Sequence, residues 1–381
     1  MFNDPATQID DLLDKIAEGI QLDPTRKQRM ESAYNAVNDW LNSDEIFFKK
    51  YPFEVYPQGS VRIGTTIKPL DRDEFDLDTV VHINGDVKKF TPQEIYSQLK
   101  RRISENSRYK EMVELKNRCL RLNYSGDFHM DILPGVQQYI HDDQKLVIPD
   151  RKLGTWATTN PKGYGGWFLD KANSVIQSLL EKAYALEELP DDDFQSKKPL
   201  QRGVQLIKRY RDEFFNGNDE YATSSIVLTT IAGHFYNSED SIFYTIDNII
   251  NKILIESRKT NGRIKVVNPV NPEEDFTDKW DSDPMYHQEF IRFVKHLHQA
   301  WQELKTGGKG RIHEDRLIKG LFGEDAYGKG VRIQNELIEK LRSTNKLQVD
   351  RKSGILTSGL AIGASSVKAN TFYGSGVKDG N

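Results

Sequence analysis

Residues 57–65 read Pro57-Gln58-Gly59-Ser60-Val61-Arg62-Ile63-Gly64-Thr65, and downstream of them comes Asp73-Glu74-Phe75-Asp76-Leu77-Asp78. The Gly-Ser dipeptide follows a short run carrying Phe53 and Val55, the pattern of a strand entering a tight turn. From Phe75 to Val81 apolar and polar residues alternate, as on a half-buried strand. Phe75, Leu77 and Thr79 then share one face, and Asp76 and Asp78 share the other, roughly 6.5–7 Å apart along the strand. Two carboxylates at that spacing can grip one cation and lean toward a second, as a site with two ions about 3.5–4 Å apart requires.

Such a site calls for a third acid. Residues 118–124 alternate, Ser125-Gly126-Asp127 makes a turn, and Phe128–Pro134 reads as a further strand with Asp131 between Met130 and Ile132. If the strands are neighbours, Asp131 projects from the surface that carries Asp76 and Asp78. Asp-Leu-Asp alone would read as the solvated face of an edge strand. Together with a Gly-Ser turn before it and a distant acid flanked by apolar residues, it reads as a catalytic constellation.

These residues resemble the polymerase-β-type nucleotidyltransferases. The longer form, Gln58-Gly59-Ser60 with Gly64-Thr65 and then Asp76-Leu77-Asp78, resembles the bacterial cGAS/DncV-like nucleotidyltransferases, or CD-NTases. The resemblance implies Mg²⁺, with Mn²⁺ as the alternative, on Asp76, Asp78 and Asp131, and a nucleotide triphosphate held by Gln58, Gly59 and Ser60. It further implies an α+β fold, a mixed sheet packed on an α-helical bundle. Lys208 followed by Thr223-Ser224-Ser225 resembles a phosphate-gripping Lys and Ser pair of the same relatives, which assigns Lys208 and Ser224 to nucleotide binding. The competing reading makes Lys208, Arg209 and Arg211 a solvated helix face.

The 381 residues leave room for two packed domains. With 37% hydrophobic and 29% charged residues the composition is that of a globular protein, and no run approaches the 18 apolar residues of a membrane span. The first residues lack a basic start and an apolar core, so no secretion signal is expected and a cytoplasmic setting follows. Cys119 is the single cysteine, which excludes an internal disulfide and a cysteine-rich zinc site. A net charge of −4 argues against a protein that grips duplex nucleic acid through many phosphates. It suits a small charged substrate escorted by a cation.

Two N-terminal helices are expected, over about 7–21 and 24–41, then the Gly-Ser turn and a helix opened by Thr91-Pro92. Residues 142–169 show little periodicity, and Thr159-Asn160-Pro161-Lys162-Gly163-Tyr164 through Trp167-Phe168 reads as a loop whose aromatics could stack on a base. Apolar stripes beginning near 172, 199, 223, 240 and 285 predict a helical bundle. Val267–Trp280, rich in proline, reads as a bracing loop of mainly architectural role. Charge and glycine mark 311–330, and the composition of 353–381 favours a flexible tail. Some CD-NTases have their tail joined to partner molecules; Lys378-Asp379-Gly380-Asn381 departs from that pattern. The expected division is a nucleotidyltransferase core over 1–165, a helical domain over 166–340 and a tail over 341–381.

Arg62 and Lys68 are weaker phosphate candidates, and His129 faces the acids in a packing, hydrogen-bonding or catalytic role. The implied activity is synthesis of a cyclic di- or trinucleotide messenger from ATP and other NTPs in anti-phage signalling, with a downstream effector reached by the diffusible product. The alternatives are a template-free enzyme making linear oligoadenylate or modifying RNA ends, and a catalytically silent nucleotide-binding module.

Overall fold

The computed structural model describes residues 5–70, 74–139, 142–173, 188–190, 193–259, 263–307, 309–344, 348–350, 356–357 and 364–366. Asp73 and the greater part of the apolar stripe expected beyond Ala172 lie outside these residues. The architecture is α+β, as expected.

Two helices, α1 (Pro5–Gly19) and α2 (Pro24–Asn42), precede strand β1 (Phe53–Pro57). Asp23 caps α2 by accepting from the Arg26 N–H, with Pro24 in the first turn where its missing donor costs nothing. A single helical turn, α3 (Gly59–Arg62), follows, then β2 (Phe75–Ile83), α4 (Pro92–Glu105) and α5 (Ser107–Met112). The remaining strands of the sheet are β3 (Val113–Leu115), β4 (Leu120–Tyr124), β5 (Phe128–Tyr139), β6 (Asp142–Asp150) and β7 (Thr155–Thr159). Their order is β1-β2-β5-β4-β3, with β6 and β7 continuing from β5.

The pairing of β2 with β5 is parallel, and Asp78 lies in register with Asp131. The other neighbours of these two strands run antiparallel. Leu77, Val81, Met130 and Ile132 point to one face and pack with Tyr34, Val37 and Leu41 of α2 and Ile95, Leu99 and Ile103 of α4. Leu77, Met130 and Ile132 are fully buried there; each such side chain stabilises the fold by about 1.5–3 kcal/mol relative to exposure. That burial fixes the register, because a slip of one residue would turn the acids into the core.

Residues 142–169 are ordered, against the loop expected from their weak periodicity. They form β6, β7 and α6 (Pro161–Asn173). Asn160 begins the helix by accepting from the Gly163 N–H, and Pro161 occupies its first turn. Phe168 is fully buried, and Trp167 packs against the helical core.

The helical layer comprises α7 (Pro199–Phe214), α8 (Ser225–Phe235) and α9 (Ile242–Lys259), a two-stranded hairpin of β8 (Val267–Asn268) and β9 (Asn271–Asp275), and α10 (Lys279–Ser282), α11 (Met285–Thr306), α12 (Arg311–Phe322) and α13 (Glu324–Ser343). The charge- and glycine-rich stretch from Arg311 is thus helical. Its glycine has a packing use, since a Cβ on Gly330 of α13 would lie 2.7 Å from Ile16 Cγ1 and 3.0 Å from the Ile16 backbone nitrogen of α1. Leu12, Leu13 and Ile16 accordingly belong to the helical core, whereas α2 covers the sheet. Farther on, Gln348–Asp350 pairs antiparallel with Leu356–Thr357 and Ala364–Ser366.

Candidate active site

Asp76, Asp78 and Asp131 stand on the sheet face opposite the α2–α4 core, where strand alternation puts them. The row containing Asp78 and Asp131 also holds Arg121 of β4, directly across from Asp131. Arg121 makes a bidentate pair with Asp131, Nε to Oδ1 at 2.7 Å and Nη2 to Oδ2 at 2.8 Å, and its Nη2 lies 3.3 Å from Asp76 Oδ1. The row containing Asp76 also holds His129. Its Nε2 is 2.5 Å from Glu74 Oε2, and its Nδ1 is 3.6 Å from Asp76.

Burial pushes the Asp78 carboxyl up from its ordinary range to about 7, and the charges of Asp76 and Asp131 push it the same way. Asp76 is raised as well, by burial first, although Arg121 opposes the shift. Mutual repulsion of this kind is what a bound dication relieves, and an all-carboxylate donor set suits a hard ion such as Mg²⁺. Among the described residues no three candidate ligands stand ready-closed around a metal position. Arg121 occupies Asp131 instead.

The Gly-Ser turn lies against these acids. Gln58 donates its backbone N–H to the Asp78 carbonyl at 2.9 Å. Gly59 has φ +62°, and a Cβ there would come 2.2 Å from Asp78 Oδ2. Glycine is therefore required twice, for the left-handed backbone and for the approach of the carboxylate. The Ser60 hydroxyl accepts from Thr66 Oγ1 at 3.2 Å.

Three long side chains on one face of α7 secure the segment after the turn. Gln201 Nε2 donates to the Ile63 carbonyl at 2.9 Å and Gln205 Nε2 to that of Thr66 at 2.7 Å. Lys208 Nζ donates to the Thr65 carbonyl and hydroxyl at 3.1 and 3.0 Å. Lys208 is only 4% exposed, so the solvated-face alternative does not describe it. Burial, with Arg211 adding to it, pulls its ammonium down to about 7.

Part of this arrangement lines an open cavity of about 500 Å³. Gln58, Gly59, Ser60, Asp76 and Asp78 line it from the sheet side, and Lys208, Arg211, Asp212, Ser225 and Thr229 from the helices. Asn160 and Tyr164 of the β7–α6 junction contribute, as do Asn268, Glu274 and Phe276 of the β8–β9 hairpin and its exit. The stretch expected to be mainly architectural thus supplies cavity wall. Asp131 is held beside the lining residues by Arg121. Ser224 is an exposed cap position outside the lining, whereas Ser225 lines the cavity and accepts from Arg211 Nη1 at 2.7 Å. Arg62 is buried with Nη1 3.4 Å from the Pro57 carbonyl, and neither it nor Lys68 lines the cavity.

Arg121, Arg211, Ser225 and Glu274 were not legible as site residues one by one. Of these, Arg121 carried a usable signal, because it falls on the alternation that leads into the Asp131 strand. No described helix is long and apolar enough to cross a membrane.

A family model described as a Second Messenger Oligonucleotide or Dinucleotide Synthetase domain matches residues 7–173. A c-di-GMP synthase of Roseivirga ehrenbergii is 41% identical, the match covering 97% of this chain and 98% of the relative. The cyclic dinucleotide synthase CdnG of Bradyrhizobium diazoefficiens is 24% identical, covering 93% and 89%. Among solved structures, the B. diazoefficiens CD-NTase CdnG in complex with GTP superposes with a TM-score of 0.69 at 21% identity, over 86% of this chain and 99% of that one. Escherichia coli DncV in its 3′-deoxy GTP bound form gives 0.55 at 16% identity, over 82% and 79%.

Proposed function

The chain belongs to the bacterial cGAS/DncV-like nucleotidyltransferases and is a cyclic oligonucleotide synthase; from that premise we propose that it joins two nucleotides into a cyclic dinucleotide containing guanine, using Asp76, Asp78 and Asp131 with divalent metal. The observation that carries this reading is the placement of the three acids on adjacent parallel strands beside the Gly59–Ser60 turn. The 41% identity to a c-di-GMP synthase over almost the whole chain favours GTP where the sequence alone suggested ATP.

Asp76 and Asp78 would hold the ions, with Mg²⁺ the first choice and Mn²⁺ the alternative. Asp131 would complete the set once Arg121 releases it. Bound divalent ions supply an acidified attacking hydroxyl and screening of the triphosphate and its leaving pyrophosphate. Gly59 and Ser60 offer the triphosphate backbone N–H groups and a hydroxyl, and Lys208 a cation set against Asp78. Arg211, fixed by Asp212 and Ser225, adds a second cation to the same wall. Tyr164, anchored by a 2.9 Å hydrogen bond between its hydroxyl and that of Thr230, stands edge-on to Phe276 at 6.1 Å and offers a surface for a base.

The first transfer leaves a linear intermediate that keeps its own 5′-triphosphate. Re-docked as donor, it lets the same acids close the ring. Family membership also supports a role in bacterial anti-phage signalling through a downstream effector. The test is to incubate the protein with labelled GTP, ATP or both and Mg²⁺ or Mn²⁺. The expected product has the mass of a cyclic dinucleotide and resists alkaline phosphatase. A phosphatase-sensitive ladder would replace this reading with the linear one.

A further inference from the structure

Glu274 is a carboxylate on the hairpin wall of the cavity, apart from Asp76 and Asp78 on the sheet, from Glu74 beside His129 and from Asp212, which pairs with Arg211. It belongs to β9, faces the cavity together with Asn268 and Phe276, and is partly buried. It makes no ion pair among the described contacts. Its partners are neutral donors: Asn268 Nδ2 to Oε2 at 2.8 Å, the Thr159 hydroxyl to Oε2 at 3.5 Å, and the Asn271 side chain. Asn268 is itself fixed, its Oδ1 accepting from the Val270 N–H at 3.0 Å. An ionised carboxylate accepts about four hydrogen bonds; the Asn268 and Thr159 bonds both fall on Oε2, and Glu274, which lines the cavity alongside these two donors, retains acceptor capacity.

A buried acceptor of this kind repels phosphate and needs donors from the ligand. Guanine offers two adjacent ones, N1–H and the N2 amino group, on one edge. Adenine places an acceptor, N1, where guanine has that donor. Tyr164 and Phe276 line the same cavity as apolar surface for the ring faces. We propose that Glu274 is a specificity-determining residue that accepts from N1–H and N2–H of guanine, selecting GTP in one nucleotide site. This rests on the reading that the cavity binds a nucleoside triphosphate.

Calorimetry on the full chain with Ca²⁺, comparing GTP, ITP, ATP and XTP, tests it. ITP keeps N1–H and lacks the amino group; XTP has a carbonyl in its place. The unaltered protein should bind GTP at least about tenfold more tightly than ITP or ATP, since a site built to hydrogen-bond a group rejects the analogue lacking it. Glu274→Gln should lose that preference and bind XTP better than GTP, because the amide can accept from N1–H and donate to the new carbonyl. A melting temperature near that of the unaltered protein accompanies a valid comparison. If Glu274→Gln unfolds, Glu274→Asp, which withdraws the same charge by one methylene, should lose the GTP-over-ITP preference instead. The proposal is overturned if ATP binds as tightly as GTP, if either variant keeps the preference, or if a folded variant loses all four nucleotides equally. A cyclic product without guanine overturns it together with the guanine content of the proposed function and leaves cyclic-dinucleotide synthesis by the three acids standing, whereas failure to bind any of the four nucleotides overturns the nucleotide-site reading itself.

Discussion

Arg121 holds Asp131 through two parallel hydrogen bonds of 2.7 and 2.8 Å, and the same guanidinium reaches Asp76 at 3.3 Å. In the absence of metal, one cation therefore neutralises part of the acid cluster. Replacing Arg121 by Gln removes a positive charge from the neighbourhood of the proposed ions. Affinity for Mn²⁺, measured by calorimetry, should rise. The metal-free protein should lose about 1.5–3 kcal/mol of stability, the usual worth of hydrogen bonds to charged groups, and recover it as Mn²⁺ is added. Unchanged Mn²⁺ affinity would remove Arg121 from the site's electrostatics.

Gly59→Ala should be costly in both fold and activity. The residue sits at φ +62°, which costs a non-glycine residue roughly 1–2 kcal/mol. The added Cβ would also meet Asp78 Oδ2 at 2.2 Å, so the acid must move. Melting temperature and turnover should fall together, and full turnover in the variant would refute the close approach.

The sheet, the order of the three acids and the Gly-Ser turn were legible because period-two alternation and a glycine turn are local signals. The parallel β2–β5 register that aligns Asp78 with Asp131 is not local, and followed only on the assumption that the strands are neighbours. Residues 142–169 hid two strands because β6 and β7 are mixed in exposure and lack a clean alternation. In α7 the apolar stripe was plain, and the family resemblance assigns Lys208 to nucleotide binding against a solvated-face alternative with Arg209 and Arg211. Nothing local shows what Gln201, Gln205 and Lys208 hold. They are polar because they donate to backbone carbonyls of 63–66, a partner the helix's own sequence does not reveal. The charge and glycine of 311–330 gave no helical signal of their own, and one of those glycines, Gly330, proved to make the close contact of α13 with Ile16.

Lys208 should give the protein a pH signature. Its ammonium is pulled from 10.5 to about 7 by burial and by Arg211. Between those values the unfolded chain binds a proton that the folded chain does not, so stability of the nucleotide-free protein should rise with pH from about 7 toward 10.5. The penalty is greatest below pH 7, where both states are charged. A triphosphate would restore the proton, so nucleotide affinity should fall as pH climbs through the same window. Lys208→Met should flatten both slopes and weaken binding by on the order of 1.5–3 kcal/mol. Identical pH profiles for the two proteins would contradict this.

Ser224 and Ser225 can be separated by single substitutions. Ser225 lines the cavity and fixes Arg211, whereas Ser224 is exposed outside the lining. Ser225→Ala should raise the KM for GTP several-fold, by the loss of about 1 kcal/mol of hydrogen bonding, and Ser224→Ala should leave it unchanged. The reverse pattern would restore the assignment made from sequence.

The most direct test of the catalytic reading is Asp78→Asn, assayed for cyclic product and for melting temperature at pH 8. Burial and the neighbouring acids push the Asp78 carboxyl up to about 7, so at pH 8 the folded protein carries this charge at a cost. The amide should abolish synthesis and leave the metal-free melting temperature equal to or above that of the unaltered protein. A folded Asp78→Asn variant that still makes substantial cyclic product would contradict the assignment of Asp78, and with it the three-acid site.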